Sequence, residues 1–380
     1  MTMRPLDEER ADVVIIGGGG IGASAAYHLT EMGVTDVALV ERDVLAAGST
    51  SKSLGGIRLQ FGDELNVRIT RRSLDAFERF DEVVANGGLD VDIDLRQMGY
   101  LILLDSEDDL EVFRGALAMQ QSLGVPSREV SVDEVRAMMP ALDTEGVLAA
   151  TYCPLDGRAV PEAVVQGYVS AAAGRGARVR QGRAVTGIRR TESGAICGVE
   201  TTKGTIHTDT VICAAGVWSK EVAAHVGVAL PVEPEVHWVF FSSKEGGVPS
   251  DIPFTIDFAS GFYLTREHHG MLFGGRAAKI EELVEPAVRR LPLMADIEVE
   301  SSWWGYYDMS PDHNAIIGAA QEAEGFYFAT GFSGHGFQQC PAVGEHLAEL
   351  IVGREPTLDM SPFGLERFAD GAARLEPFYI

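Results

Sequence analysis

The residues with the most definite chemistry stand near the N-terminus: Gly17, Gly19 and Gly22 fit G-x-G-x-x-G, and Glu41 follows nineteen residues after the last of them. The first glycine permits a tight turn, the second lets backbone approach a pyrophosphate, and the third lets the next helix pack closely. A carboxylate at that distance accepts the two hydroxyls of a ribose, here with Arg42 beside it. Other candidates lie far along the chain. Arg58 and Arg276 each carry a planar fork suited to a carboxylate. His335 sits between two glycines in F-S-G-H-G-F. His237, His268 and His269 lack carboxylate or cysteine neighbours at metal spacing, so no metal site is expected. Cys153, Cys197, Cys213 and Cys340 form no C-x-x-C pair and read as buried free thiols in a reducing compartment.

Regular elements must hold these groups in place. Val13, Val14, Ile15 and Ile16 form an unbroken apolar run, the pattern of a strand buried on both faces of a parallel sheet. A helix starting near Ile21 then turns the free N–H groups of its first turn, Gly20 and Ile21 among them, toward phosphate. A second strand is expected over 36–40, ending at Glu41. Leu74, Phe77, Phe80 and Val84 recur at helical spacing, predicting an amphipathic helix over 63–84 that Gly87 and Gly88 end. A strand over 97–104 and an acidic helix over 106–123 follow. A helix over 161–173 has Pro161 in its first turn and Gly174 near its end. Strands are expected over 177–179, 184–188 and 210–213, with a hairpin around Lys203-Gly204. Residues 230–309 are rich in β-formers and prolines, with strands expected over 236–242, 254–256, 262–265, 271–273 and 297–307. A helix over 341–351 buries Val343, Leu347 and Ile351.

With 380 residues, the chain suits two domains, and 46% hydrophobic content supplies substantial cores. A formal charge of −25 repels nucleic acid and anionic membrane, which excludes both as expected partners. No apolar run reaches membrane-spanning length, and residues 1–10 are charged with no hydrophobic signal region, so a cytoplasmic enzyme is expected.

The stretch after Glu41, A-A-G-S-T-S-K-S-L-G-G-I-R over 46–58, makes the reading specific. It resembles the FAD-binding N-terminus of the D-amino-acid-oxidase-like flavoproteins, which include sarcosine oxidases and the β-subunits of heteromeric proline dehydrogenases. The resemblance implies that Ser49, Thr50 and Ser51 line the flavin pyrophosphate and that Gly55, Gly56, Ile57 and Arg58 pass beside the isoalloxazine. It places Val185 near the adenine and Ala215, Gly216 and Trp218 in a second flavin-side turn, with a core role for Trp218 as the alternative. D-M-S-P-D-H-N-A-I-I-G over 308–318 and F-Y-F-A-T-G-F-S-G-H-G-F-Q-Q over 326–339 resemble the group's C-terminal flavin signature. That implies roles for Gly331, Ser333, Gly334, His335, Gly336, Phe337 and Gln338. The free carboxylate of Glu41 argues against NADP. The expected architecture is α/β: a Rossmann-like FAD-binding domain of glutathione-reductase type over 1–88, 157–226 and 309–380. An α+β substrate domain on a mostly antiparallel sheet would take 89–156 and 227–308.

The resemblance implies oxidation of the C–N bond of a small amino acid, a secondary one such as sarcosine or proline, by hydride transfer to flavin N5 to give an imine. Arg58 would hold the carboxylate, the alternative being a salt bridge at the surface or to flavin phosphate. Tyr263 would line the substrate pocket or serve as core, and Arg276 replaces an active-site histidine of monomeric sarcosine oxidase or merely ends a strand. Gln338 and Leu272 stand where that enzyme has lysines, and Gly305 where it has its flavin-linking cysteine, so the FAD is expected to be non-covalent. The electron acceptor would be oxygen or a partner subunit or carrier, in a homo- or hetero-oligomer. The rival readings are oxidation of a primary amine or 2-hydroxy acid on the same scaffold, and a non-catalytic FAD-binding assembly factor.

Overall fold

The computed structural model describes residues 9–85, 89–244, 247–276 and 279–379. The expected stop at Gly87-Gly88, and the segment before residue 9, lie outside the described residues. Two large sheets carry the chain. The first has six strands in the order Ile316–Ala319, Phe326–Thr330, Val211–Cys213, Val13–Ile16, Val37–Val40 and Arg178–Arg180. All its pairings are parallel except that of the edge strand Ile316–Ala319.

The unbroken apolar runs have a direct cause in this sheet. Val13, Ile15, Val37 and Leu39 face a core shared with the helices Gly20–Glu31, Pro161–Gly174 and Gly336–Val352. Val14, Ile16, Ala38 and Val40 face a second core, shared with the four-stranded small sheet of Glu9–Arg10, Gly204–His207, Ile196–Thr201 and Val185–Arg190. Both faces are covered, so neither parity of the strand can be polar.

The second sheet has eight strands in the order Val299–Met309, Glu233–Ser242, Gly270–Gly274, Tyr263–Glu267, Phe254–Asp257, Tyr100–Leu104, Ala149–Cys153 and Arg128–Val130. It is antiparallel except where Phe254–Asp257 runs alongside Tyr100–Leu104. Leu101 and Leu103 pack with the helix Ile280–Arg290 side of the sheet, while Tyr100, Ile102 and Leu104 pack with Leu110 and Phe113 of the helix Glu107–Ser122.

Some elements differ from the sequence reading. The helix expected over 63–84 breaks at Arg79 (φ −118°) into Glu64–Glu78, capped by the Asp63 side chain, and Phe80–Val84. The four apolar residues that suggested one helix are all buried, because the break keeps both pieces against the same core. The helix Ile280–Arg290 lies in a region read as strands and prolines; Pro286 inside it hides the pattern that buries Leu283, Ala287 and Arg290. The last helix begins at Gly336, not at Pro341. Pro341 therefore lies in its interior, where it has no N–H to give the preceding turn, and the next N–H, that of Ala342, donates to Ser73 Oγ at 3.2 Å. Among the described residues no helix is long and apolar enough to cross a membrane.

Candidate active site

The strand Val13–Ile16 runs into Gly17, whose φ of +111° and closeness to the Ala214 carbonyl leave no room for a Cβ. Gly22 has none either, because its Cα faces the Gly17 carbonyl. The turn is thus held by two bare Cα atoms, and the helix it starts points its N-terminal end into a cavity of about 510 Å³. The Gly20 N–H donates to Thr50 Oγ1 at 3.2 Å. Glu41 accepts the Gly18 N–H at 2.8 Å on one carboxylate oxygen and the Asp43 N–H at 2.8 Å on the other, which fixes its orientation at the cavity wall. The Arg42 guanidinium lies 3.6 Å over the Trp218 ring.

Most of the candidates line this one cavity. They are Gly17, Gly19, Gly20, Ile21, Glu41, Arg42, Ser49, Thr50, Gly56, Arg58, Val185, Ala215, Gly216, Trp218, Tyr263, Gly334, His335, Gly336, Phe337 and Gln338. The others stand behind its wall. Gly55 (φ +70°) abuts the Ala159 carbonyl, Ile57 is fully buried opposite Gly157, and the Ser51 N–H donates to the Ala46 carbonyl. Gly331 (φ +69°) donates its N–H to Asp308, and Ser333 (φ +49°) accepts the Ser310 N–H on Oγ at 3.1 Å, so both shape the turn. Arg276 is exposed, away from the cavity lining, and donates to the Tyr379 carbonyl at 2.7 Å.

Arg58 is the centre of the far end. It is 5% exposed, with Nη1 donating to the Gln60 carbonyl at 2.5 Å and Nη2 to the Phe378 carbonyl at 2.9 Å and to His335 Nε2 at 3.3 Å. Its plane lies 4.5 Å from the Phe61 ring, and its own N–H donates to Gln338 Oε1 at 2.5 Å. A guanidinium has five N–H donors; these bonds commit three and fix the plane of the rest. Burial draws the Arg58 pKa down, while Glu376 and Asp156 oppose that shift. His335 is driven well below its usual range, first by burial and then by Arg58. It is therefore neutral, and because a guanidinium only donates, its Nε2 is the acceptor.

Aromatic groups wall the chamber. Tyr100 stacks on Phe254 at 4.4 Å, and Tyr263, Tyr307, Ile256 and His237 complete the lining. Burial raises the phenols of Tyr100, Tyr263 and Tyr307, the last to about 12, so all three stay protonated at neutral pH.

Sequence reasoning missed two buried carboxylates here. Asp156 accepts the Leu59 N–H at 2.7 Å and Gln60 Nε2 at 2.9 Å, holding the loop that carries Arg58. Asp308, in the cavity wall, accepts the Gly331 N–H at 2.8 Å. Burial raises each to about 6. His237 was missed as well. It does have a carboxylate neighbour: residues i and i+2 of a strand share a face, which sets Glu235 Oε1 2.8 Å from His237 Nε2. Its ring stacks on Tyr307 at 3.8 Å. His268 and His269 likewise each meet one carboxylate, Glu267 and Glu300. These are pairs, and among the described residues no group of three such side chains gathers as a metal site.

Residues 12–350 match the family described as FAD dependent oxidoreductase. The chain belongs to that family. A bovine (Bos taurus) relative, FAD-dependent oxidoreductase domain-containing protein 1, is 32% identical over 424 residues, covering 96% of this chain and 86% of its own. Mouse (Mus musculus) mitochondrial sarcosine dehydrogenase is 27% identical across 94% of this chain but only 41% of its own length, so this FAD-dependent oxidoreductase spans about two-fifths of it. Among solved structures, L-proline dehydrogenase from P. horikoshii superposes with a TM-score of 0.87 at 31% identity, covering 97% of this chain and all of its own (100%). Glycine oxidase from Bacillus cereus superposes with a TM-score of 0.76 at 27% identity, over 92% and 97%. The cavity of this FAD-dependent oxidoreductase fits the cofactor of its family. A helix N-terminus, the fixed carboxylate of Glu41 and the small hydroxyl residues Ser49 and Thr50 line one wall, and Gly17 and Gly19 keep the turn beside it bare of side chains.

Proposed function

We propose that this FAD-dependent oxidoreductase oxidises the C–N bond of a small amino acid, a secondary one such as sarcosine or proline in preference to a primary one. The observation that carries the reading is Arg58, a buried guanidinium at the aromatic end of the cavity with part of its fork uncommitted. A carboxylate on that fork would leave the substrate's amine and its C–H among Tyr100, Phe254, Tyr263 and Tyr307. FAD, when bound by Gly17, Gly19, Gly20, Glu41, Ser49 and Thr50, supplies the acceptor for a hydride.

The chain's own part is to bind, orient and dry the substrate. Arg58 balances the carboxylate charge, which costs a buried cation less than leaving it unpaired. The aromatic walls exclude water, and desolvation favours the uncharged amine, the form with a lone pair to support loss of hydride from the adjacent carbon. His237, with Glu235 on its Nε2, is the titratable neighbour of Tyr307 at the wall. Gly305, in that wall, has no sulfur to bond the cofactor, in keeping with non-covalent FAD. The test is anaerobic mixing of the yellow holoprotein with sarcosine, proline, glycine and a 2-hydroxy acid. A secondary amino acid should bleach the flavin fastest. A flavin left oxidised by every one of them overturns the reading and favours a non-catalytic role.

A further inference from the structure

Both arginines that the sequence nominates for a carboxylate donate instead to successive main-chain carbonyls of one short segment. Arg58 Nη2 donates to Phe378 at 2.9 Å and Arg276 Nη2 to Tyr379 at 2.7 Å. The segment 376–379 is anchored hard. Glu376 is fully buried, and its carboxylate accepts the N–H groups of Gly62, Asp63 and Phe378 and the Asn66 amide, at 2.9 to 3.1 Å. The Phe378 ring stacks on Phe113 at 3.9 Å. The Tyr379 hydroxyl donates to Glu235 Oε1 at 2.7 Å and lies 3.0 Å from His237 Nε2. Because a carboxylate only accepts, His237 carries its proton on Nε2, shared between Glu235 and the phenol oxygen. None of residues 376–379 lines the cavity, yet they touch the outer side of two residues that do, Arg58 and His237.

We propose that segment 376–379 is a positioning element of the substrate site: it fixes the Arg58 fork and the His237 ring from behind and so sets how the chamber receives a carboxylate. The inference rests on the reading of Arg58 as the carboxylate group. Its physical content is that Phe378 offers Arg58 a neutral carbonyl. A neutral acceptor orients the guanidinium without adding a negative charge to those of Glu376 and Asp156, which already favour the cation.

One change of chain length puts this to the test. Ending the chain at Phe378 turns that carbonyl into a terminal carboxylate beside Arg58, an internal competitor for the substrate. Ending it at Tyr379 keeps the neutral amide. The two proteins are compared with the parent for FAD content and for anaerobic flavin reduction by the preferred amino acid and its carboxamide. The Phe378-ended protein should keep its FAD and its limiting rate but lose about tenfold or more of its preference for the carboxylate, through KM. The Tyr379-ended protein should match the parent. An unchanged preference in a flavin-replete Phe378-ended protein overturns the inference. If that protein does not fold, Tyr379→Ala decides alone, since it cuts the ties to Glu235 and His237 while keeping the Phe378 amide. It should lose about threefold or more of the preference at full FAD content, and no loss overturns the proposal. A parent that does not discriminate carboxylate from carboxamide removes the reading of Arg58 itself, and this inference with it.

Discussion

The two ends of the cavity are built from different material. At the dinucleotide end the wall is rich in glycine and other small residues from runs close in sequence: Gly17 and Gly19 to Ile21, Ala47 to Thr50, Ala214 to Gly216. At the aromatic end it is side chains delivered by segments as distant as Arg58, Tyr100, Phe254 and Tyr307. A backbone site tolerates side-chain drift but not an added Cβ. A side-chain site has the opposite sensitivity, and that difference can be pressed experimentally.

The harshest test is Gly17→Val. A left-handed φ costs about 1–2 kcal/mol and the collision with Ala214 about 1–3 more, at the point where the sheet meets the cofactor wall. The expected product has little bound flavin and a lowered unfolding midpoint, read from absorbance per polypeptide and urea titration. A Gly17→Val protein with a full complement of FAD would break the contrast. Next comes Arg58→Ala, which should leave FAD content intact while lowering kcat/KM for the carboxylate substrate by roughly 2–5 kcal/mol. Arg58→Lys keeps the charge without the fork and should recover part of it. Equal slowing of the carboxylate and its carboxamide would assign Arg58 to the cofactor instead.

Asp308 sharpens the contrast through pH. Its pKa rises from 3.8 to about 6 on folding, chiefly by burial, so the fold prefers the protonated form. The stability linked to that preference is complete below about pH 4 and is lost as pH rises through 6, a change of about 3 kcal/mol at most. Asp308→Asn stays neutral and keeps an acceptor for the Gly331 N–H. Its stability relative to wild type should rise across that window and then level off, measured by urea midpoints of the holoprotein at a series of pH values. A flat difference would mean the carboxylate is paid no such penalty. The smallest effect expected is that of Glu41→Ala, roughly 1.5–3 kcal/mol or about ten- to a hundredfold in FAD affinity, with turnover of the remaining holoenzyme unchanged. Titration of the apoprotein with FAD gives the constant, and an unaltered value would remove Glu41 from the ribose site.

The same division decided what could be read from the residues. The glycine turn, its strands and the later loops that reach the same cavity were legible, because each is a run of neighbours with one backbone requirement. Tyr100 was not, since its strand was foreseen but its pairing with Phe254–Asp257, which stacks it on Phe254, joins residues 154 apart in sequence. Asp156 carries no local signal of its role, because the partners that bury it, Leu59 and Gln60 of the Arg58 loop, lie nearly a hundred residues earlier. Arg276 follows two glycines at a strand end, a position that reads equally well inward or outward, and the chain takes it outward. The Glu235–His237 pair had a local signal, the spacing of two in a strand, and needed only the question to be asked of the strand rather than of a metal.

The order of the parallel sheet also bears on how the chain must be made. The strand Val13–Ile16 finds one neighbour early, Val37–Val40, but its other side waits for Val211–Cys213, which in turn waits for Phe326–Thr330. A nascent chain therefore carries a bare edge of valine and isoleucine through the synthesis of some 170 residues, the interval from 41 to 210. Unpaired apolar edges of that kind invite association with other chains. The turn at Gly17 also closes against Ala214, so the cofactor wall is assembled late. Ribosomes stalled inside that interval would display an adhesive edge and no flavin to cover it, and such chains are natural clients for a chaperone.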